Sequence, residues 1–262
     1  TVNERNDYVA NAYMSYANTW KNDHDFTGTV GVNYEARTYN DLSVRRQDML
    51  TEELNDFNLA YGNVDKLTGG INEYALAGLF YRFTYAWKSR YLFETNGRLD
   101  GSSRFPKGNQ WGFFPSVSAA WRLSGEDFME GVTWTDDLKV RLSWGQSGNQ
   151  SGLGDYAWVK TYALEYYTWT DDDKANAVPA VGSITSIGYE DLTWETTTQT
   201  NLGIDWSMFG GRLSATFDAY YKYTDDMLMT IDMPGANPSI TRNEAAMSNW
   251  GVEVALSSVN ID

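Results

Sequence analysis

The feature that most constrains this chain is an alternation of apolar and polar residues with a period of two, recurring from one end to the other. Only an extended strand sends successive side chains to opposite faces in this way. In the run from Phe26 to Glu35, even positions are apolar or small and odd positions mostly polar. Tyr91 to Asp100 sets Tyr91, Phe93 and Leu99 against Glu94, Asn96, Arg98 and Asp100. Pro115, Val117, Ala119, Trp121 and Leu123 alternate with Ser116, Ser118 and Arg122, and Leu138, Val140, Leu142 and Trp144 with Lys139, Arg141 and Ser143. Leu213 to Thr224 carries the same pattern, and weaker alternation covers 6–17, 73–86, 194–208 and 249–258. The reading is all-β, about nine strands, many of about ten residues.

Ten residues is what a tilted strand needs to cross a bilayer. No run in the chain approaches the roughly 18 to 20 apolar residues of a transmembrane helix, so any insertion must be by strands. The connections support this. They run short (19–25), long (36–72), short (87–90), medium (101–110), medium (124–137), long (146–193), short (Gly210-Gly211) and long (225–248). Outer-membrane barrels alternate short periplasmic turns with long extracellular loops, and only 124–137 strains that rule. Aromatic residues make up 15% of the chain, with 11 Trp and 18 Tyr, and they need a place to sit. Trp20, Tyr85, Trp87, Tyr91, Trp121, Trp206 and Phe209 fall near the short-turn ends, and Phe113, Trp144, Tyr223 and Trp250 near the opposite ends. Two interfacial girdles account for them. The alternative is the packed core of a soluble β domain.

Other classes are constrained by what the chain carries. A formal net charge of -15 argues against a nucleic-acid partner, which needs Lys and Arg in excess. With no Cys there is no disulfide and no thiolate metal site. The single histidine, His24, between Asp23 and Asp25, reads as a solvated turn residue; it supplies neither a histidine-rich metal site nor a triad. Asp136-Asp137, Asp171-Asp172-Asp173 and Asp225-Asp226 lack calcium-loop spacing and read as solvated loop charge. Gly152-Leu153-Gly154-Asp155-Tyr156-Ala157 matches a dinucleotide fingerprint in form. Trp158 to Tyr162 after it favours a strand, not the helix that would receive a pyrophosphate. No cofactor or metal is expected. Thr1 to Arg5 does not open a secretory signal.

Particular strings carry more. Tyr91-Leu92-Phe93 leads into Arg98-Leu99-Asp100-Gly101-Ser102-Ser103-Arg104-Phe105, followed by Trp111-Gly112-Phe113-Phe114-Pro115-Ser116-Val117-Ser118-Ala119-Ala120-Trp121-Arg122. This resembles the barrel signature of SusC-like TonB-dependent transporters. Leu138 to Gly145 with Ser147 to Gln150, Leu192 to Glu195, Asn201 to Asp205 and Phe217 to Tyr221 follow in the same order. The resemblance covers roughly 70–256, and 1–70 fit by pattern and by Phe26-Thr27-Gly28. It implies an outer-membrane barrel of roughly 22 strands around an N-terminal plug. Residues 1–262 are then expected to be part of the barrel domain, without the plug and with strand edges unable to close alone.

The function implied is active import of oligosaccharides or peptides, with no covalent chemistry. A SusD-like surface lipoprotein would be the lid, TonB the energy source through the missing N-terminal region, and outer-membrane lipid the surroundings. Selectivity in such barrels lies in loops and plug. The loop 146–193 offers Tyr156, Trp158, Tyr166, Tyr167 and Trp169 as stacking faces for a ligand, with Tyr162 beside them. The same rings could hold the loop together. Two rivals stand beside transport: a β-rich carbohydrate-binding module using this loop, and a β-rich glycoside hydrolase using two loop carboxylates.

Overall fold

The structure, a computed structural model, describes residues 1–51, 53, 56–167, 178–234 and 238–260; of residues 164–167 and 178–180 it describes the backbone alone. Nine strands form one antiparallel meander: β1 (Val2–Trp20), β2 (His24–Arg46), β3 (Val64–Trp87), β4 (Tyr91–Ser102), β5 (Trp111–Arg122), β6 (Thr135–Asn149), β9 (Glu195–Met208), β10 (Leu213–Ile231) and β11 (Ile240–Ser258). Between β6 and β9 the chain makes a separate hairpin, β7 (Thr161–Tyr167) with β8 (Val178–Ser186). The nine expected strands are all present, in chain order.

The long connections are shorter than the alternation suggests. β2 continues to Arg46 and β3 starts at Val64, so a paired hairpin replaces most of 36–72. Likewise β10 runs to Ile231 and β11 begins at Ile240. With 19 to 24 residues in β1, β2, β3, β10 and β11, these strands outrun a bilayer, and their far ends stand in water on both faces. There the period-two signal fades while backbone pairing persists. The short connections are tight: Lys21 and Asn22 have φ of 51° and 60°, and Lys88 and Ser89 have 51° and 52°. Two consecutive positive φ values twist a two-residue turn the way the strands themselves twist.

Register assigns every side chain to a face. One line of partners runs Trp20, His24, Trp87, Tyr91, Trp121, Val140, Ile204, Phe217 and Val254 across all nine strands. The next line runs Thr19, Asp25, Ala86, Leu92, Ala120, Arg141, Gly203, Asp218 and Glu253. The first belongs to an apolar face whose Val32, Leu79, Phe93, Phe113, Leu142, Leu202 and Val254 are each more than a third exposed. In water such a surface would be untenable, and hydrocarbon is the solvent it fits. The opposite face is polar.

The apolar face carries the expected girdle near the short turns. Trp87 and Tyr91 stack at 5.3 Å, Tyr91 and Trp121 at 6.4 Å, and Trp134 meets Trp206 at 5.3 Å. Phe113, Trp144, Tyr223 and Trp250 are exposed on the same face further along their strands. His24 corrects the sequence reading. It is the first residue of β2, partly buried, stacked at 6.4 Å on Trp87, with Nδ1 2.7 Å from the Tyr85 hydroxyl. Register, invisible in one strand, brings these rings to it.

The connection 123–134, which strains the loop-length rule, holds two single-turn 3₁₀ helices, Leu123–Gly125 and Asp127–Met129. It is pinned back to the girdle. Trp121 Nε1 donates to Glu126 at 3.0 Å, Arg90 Nη1 lies 3.2 Å from the same carboxylate, and Phe128 meets the Trp121 ring edge-on at 6.5 Å. Asp137 takes the Ser124 hydroxyl at 2.8 Å and Arg122 at 3.2 Å, and Asp136 accepts from the Gly211 amide at 2.9 Å. The pair Asp136-Asp137 therefore locks turns together and is not loose charge. The hydrogen bond from Trp121, followed by that from Tyr91, holds the Glu126 carboxyl below the usual carboxylate range. A depressed folded value gives stability that is present above the unfolded value and lost as pH falls through the folded one. The Glu126→Gln protein should melt below the parent at neutral pH, and the difference should vanish in acid; thermal melts across pH check this.

Candidate functional site

The polar face is built as a set of charge bridges laid across strands. Arg141 on β6 donates from Nε and Nη2 to both carboxylate oxygens of Asp205 on β9, at 2.8 and 3.0 Å. Its Nη2 also reaches Asp218 on β10 at 3.1 Å, and Lys139 Nζ lies 3.0 Å from Asp205. The residue between Arg141 and Asp218 in the register is Gly203. A Cβ there would stand 2.6 Å from an Asp218 oxygen and 2.7 Å from the Arg141 guanidinium carbon. The glycine is the floor over which the arginine crosses a strand.

The device is repeated on the same face, toward the β1 edge of the sheet. Arg98 on β4 grips Asp100 at 2.7 and 3.0 Å and reaches Asn33 on β2 at 3.1 Å. The strand crossed is β3, and its residue there, Gly78, pairs with both Asn33 and Asp100. An added Cβ would collide with both side chains. Arg37–Asp7 at 2.6 Å and Arg82–Glu94 at 2.9 Å are further bridges between neighbouring strands. Each of these cations is matched by a carboxylate, so the bridges make the wall hydrophilic without adding single-sign charge where they lie.

At the long-loop end this wall passes into the one apolar cluster of buried side chains among the described residues: Phe105, Leu153, Leu192 and Trp194, with Phe114, Trp158, Tyr189 and Leu228 against it. Phe105 and Leu192 are fully buried, and the Phe105 ring lies tilted against Trp194 with centroids 4.7 Å apart. The string Asp100 to Phe105 owes its composition to this place. Asp100 holds Arg98; the Ser102 hydroxyl donates to Gln150 at 2.6 Å; Ser103 exchanges bonds with the Ala75 backbone; Arg104 donates to Asp155 at 2.8 Å; Phe105 fills the core. Within Trp111 to Arg122, Trp111 covers Gly101, Phe114 meets Trp194 at 5.5 Å, and Pro115, which has no N–H, sits where the β5–β6 ladder ends. These strings anchor the long loop to the strands.

Beside the cluster, on the polar face, is a cleft of about 410 Å³. It is lined by Arg37, Glu73, Tyr74, Asp155, Tyr156 and Trp158. The Tyr74 ring lies between two guanidinium groups, Arg37 at 4.9 Å and Arg104 at 4.5 Å, while its hydroxyl donates to Glu35 at 2.6 Å. Of the loop aromatics named from sequence, Tyr156 and Trp158 come together here. The Tyr156 hydroxyl accepts from the Glu73 amide at 3.0 Å and its ring is 42% exposed, so it both ties the loop to β3 and faces the cleft. The Trp158 indole is packed on the apolar cluster. The side chains of Tyr166 and Tyr167, and all of Trp169, lie outside the described residues, as does Asp171-Asp172-Asp173. Arg37, Tyr74 and Asp155 are the cleft residues that sequence reading missed. Only Arg104, an arginine in need of a carboxylate, hinted at Asp155. The fingerprint-like run 152–157 is a turn followed by β7, with no helix after it.

An apolar outer surface, an aromatic girdle, a meander closed by short turns at one end and a polar inner wall of paired charges define the wall of a β-barrel of the bacterial outer membrane. The chain belongs to the TonB dependent receptor-like beta-barrel family, whose model matches residues 1–260. It is 35% identical to the TonB-dependent receptor SusC of Bacteroides thetaiotaomicron over 70% of this chain and 18% of that protein. It is 31% identical to the TonB-dependent receptor P39 of Formosa agariphila over 98% of this chain and 24% of that protein. Among solved structures, the RagAB peptide transporter is similar at 26% identity and a TM-score of 0.83, over 98% of this chain and 28% of that one. The siderophore receptor PirA from Pseudomonas aeruginosa, at 15% identity and a TM-score of 0.58, shares the fold. The chain thus spans about a fifth to a quarter of the length of these curated relatives.

Proposed function

We propose that this chain forms wall and outer mouth of a SusC-type transporter that imports an oligosaccharide or a peptide, powered through TonB and capped by a SusD-like surface lipoprotein. The observation that carries the reading is the cleft at the long-loop end. It faces the polar wall, offers the Tyr156 ring and several hydrogen-bonding groups, and stands where an incoming solute first meets the barrel. Aromatic faces with flanking charged groups suit sugar rings and extended peptides alike. Tyr156 and Trp158 are the ligand-facing aromatics of this reading, with Tyr166, Tyr167 and Trp169 as further candidates on the same loop. The wall takes no part in bond making; it binds and guides.

Uptake of labelled oligosaccharides and of labelled peptides by cells making the protein tests this. Accumulation should require TonB and the lipoprotein, and Tyr156→Ala should raise the half-saturating concentration several-fold while protein level in the membrane stays unchanged. Uptake of neither solute, or uptake indifferent to TonB, would overturn the proposal.

A further inference from the structure

The girdle near the short turns is not a uniform band. On the apolar face, Tyr85, Phe93, Trp121, Val140 and Leu142 surround a groove of about 430 Å³, and its floor is a small side chain, Ala119. Register explains the depression. Ala119 pairs with Phe93 on one side and Leu142 on the other, and Trp121 and Val140 lie one step nearer the turns. A methyl group between four large side chains leaves a channel open toward the hydrocarbon. At its turn end stands a cation, Lys88, whose Nζ lies over the Trp87 ring at 5.7 Å, on the apolar side of the sheet. Lys88 has a φ of 51°, a backbone region that favours Gly and Asn over lysine.

Among the other charges at this rim, Arg90, Glu126 and Asp127 stand on the side of the 123–134 connection, while Asp23 adjoins Lys88 through its backbone. Arg90 is held by Glu126 at 3.2 Å and by Asp127 at 3.3 Å. Glu126 is occupied by Trp121 and Arg90, but the Asp127 side chain is 85% exposed. The rim therefore presents an ammonium group and a largely exposed carboxylate, paired through one oxygen with Arg90, above one apolar channel. By the loop-length rule this end faces the periplasm.

We propose that this groove is a binding site for a zwitterionic phospholipid of the periplasmic leaflet, one acyl chain over Ala119, the phosphate at Lys88 and the headgroup amine at Asp127. The connection 123–134 then has a purpose that its length alone does not reveal. Glu126 and Phe128 fix it against Trp121, so that it carries Asp127 to the headgroup side of the groove. A phosphatidylglycerol headgroup would satisfy Lys88 equally with its phosphate but offer Asp127 neutral hydroxyls in place of a cation, and so a weaker, uncharged hydrogen bond. A choline headgroup would offer Asp127 no hydrogen-bond donor.

Native mass spectrometry of the detergent-solubilised protein, titrated with phosphatidylethanolamine, phosphatidylglycerol and phosphatidylcholine, tests this. The parent should retain one phosphatidylethanolamine in preference to the other two. Ala119→Trp fills the channel from a position that faces lipid, and should cut retention by at least about tenfold. Lys88→Gln should weaken it by about fivefold, the loss of one interfacial cation, and Asp127→Asn should erase the preference for the amine headgroup. Equal retention by the Ala119→Trp protein, with its melting temperature unchanged, would overturn the site. Preference of the parent for phosphatidylglycerol would overturn the headgroup assignment.

Discussion

Replacing Phe105 with alanine should destabilise the long-loop end of the sheet by about 3–5 kcal/mol, the usual result of emptying a fully buried aromatic site. The magnitude follows from the place of this ring in the one buried apolar cluster among the described residues. Phe105, Leu153, Leu192 and Trp194 form the cluster on which the loop after β6 rests at both its ends. Leu153 lies just past β6, Leu192 and Trp194 just before β9, and Phe105 just past β4, so one ring joins three chain segments. Their polar neighbours depend on the same packing: Asn109 Nδ2 donates to the Leu192 carbonyl at 3.3 Å and Trp194 Nε1 to the Gln110 carbonyl at 3.0 Å. Without Phe105 these segments separate and water reaches both bonds. Limited proteolysis of the protein in outer membranes should then cut the chain between 150 and 194 much faster, with the strands still protected. Phe128→Ala, which removes a ring that is 66% exposed, should leave that cleavage unchanged. Equal cleavage of the Phe105→Ala protein and its parent would show that the loop is held by something other than this core.

The second large effect concerns a residue with no side chain. Gly203→Val places branched carbon where an Asp218 oxygen and the Arg141 guanidinium already stand 2.6 and 2.7 Å from a bare Cβ. Neither can yield cheaply, because Arg141 is the link between Asp205 and Asp218. Pushed aside, it leaves two carboxylates on adjacent strands without their shared cation. Overpacking and the lost bridge together should cost about 2–3 kcal/mol, toward the low side because Arg141 keeps some contact with water. The expected readout is a lower temperature for loss of the folded, heat-modifiable band on electrophoresis of membrane extracts. Arg141→Lys should lose part of the same stability, since an ammonium cannot form the two-pronged contact with Asp205. Gly210→Val, in a turn with nothing within 4 Å of its Cβ but a φ of 67°, separates crowding from backbone strain. If Gly203→Val and the parent melted together, the floor-glycine account of the bridges would fail.

Much of this molecule was legible in its sequence. Lipid on one face and water on the other force each crossing strand to alternate, so strand number, order and facing could be read from Phe26 to Glu35, Tyr91 to Asp100 and their companions. Short turns and girdle aromatics were equally visible, because local twist and headgroup chemistry act on each hairpin separately. The strand ends beyond the membrane were not. Between Ala36 and Arg46, and between Asp225 and Ile231, pairing continues where no solvent difference writes a pattern. The tertiary structure alone decided which residues meet across strands. Register, a property of pairs, put Gly203 beneath Arg141, stacked His24 on Trp87, opened a groove over Ala119 and brought Arg37 and Tyr74 to the cleft beside Tyr156. A one-residue slip would send every one of these side chains to the other face, and no single strand records the register of its neighbour.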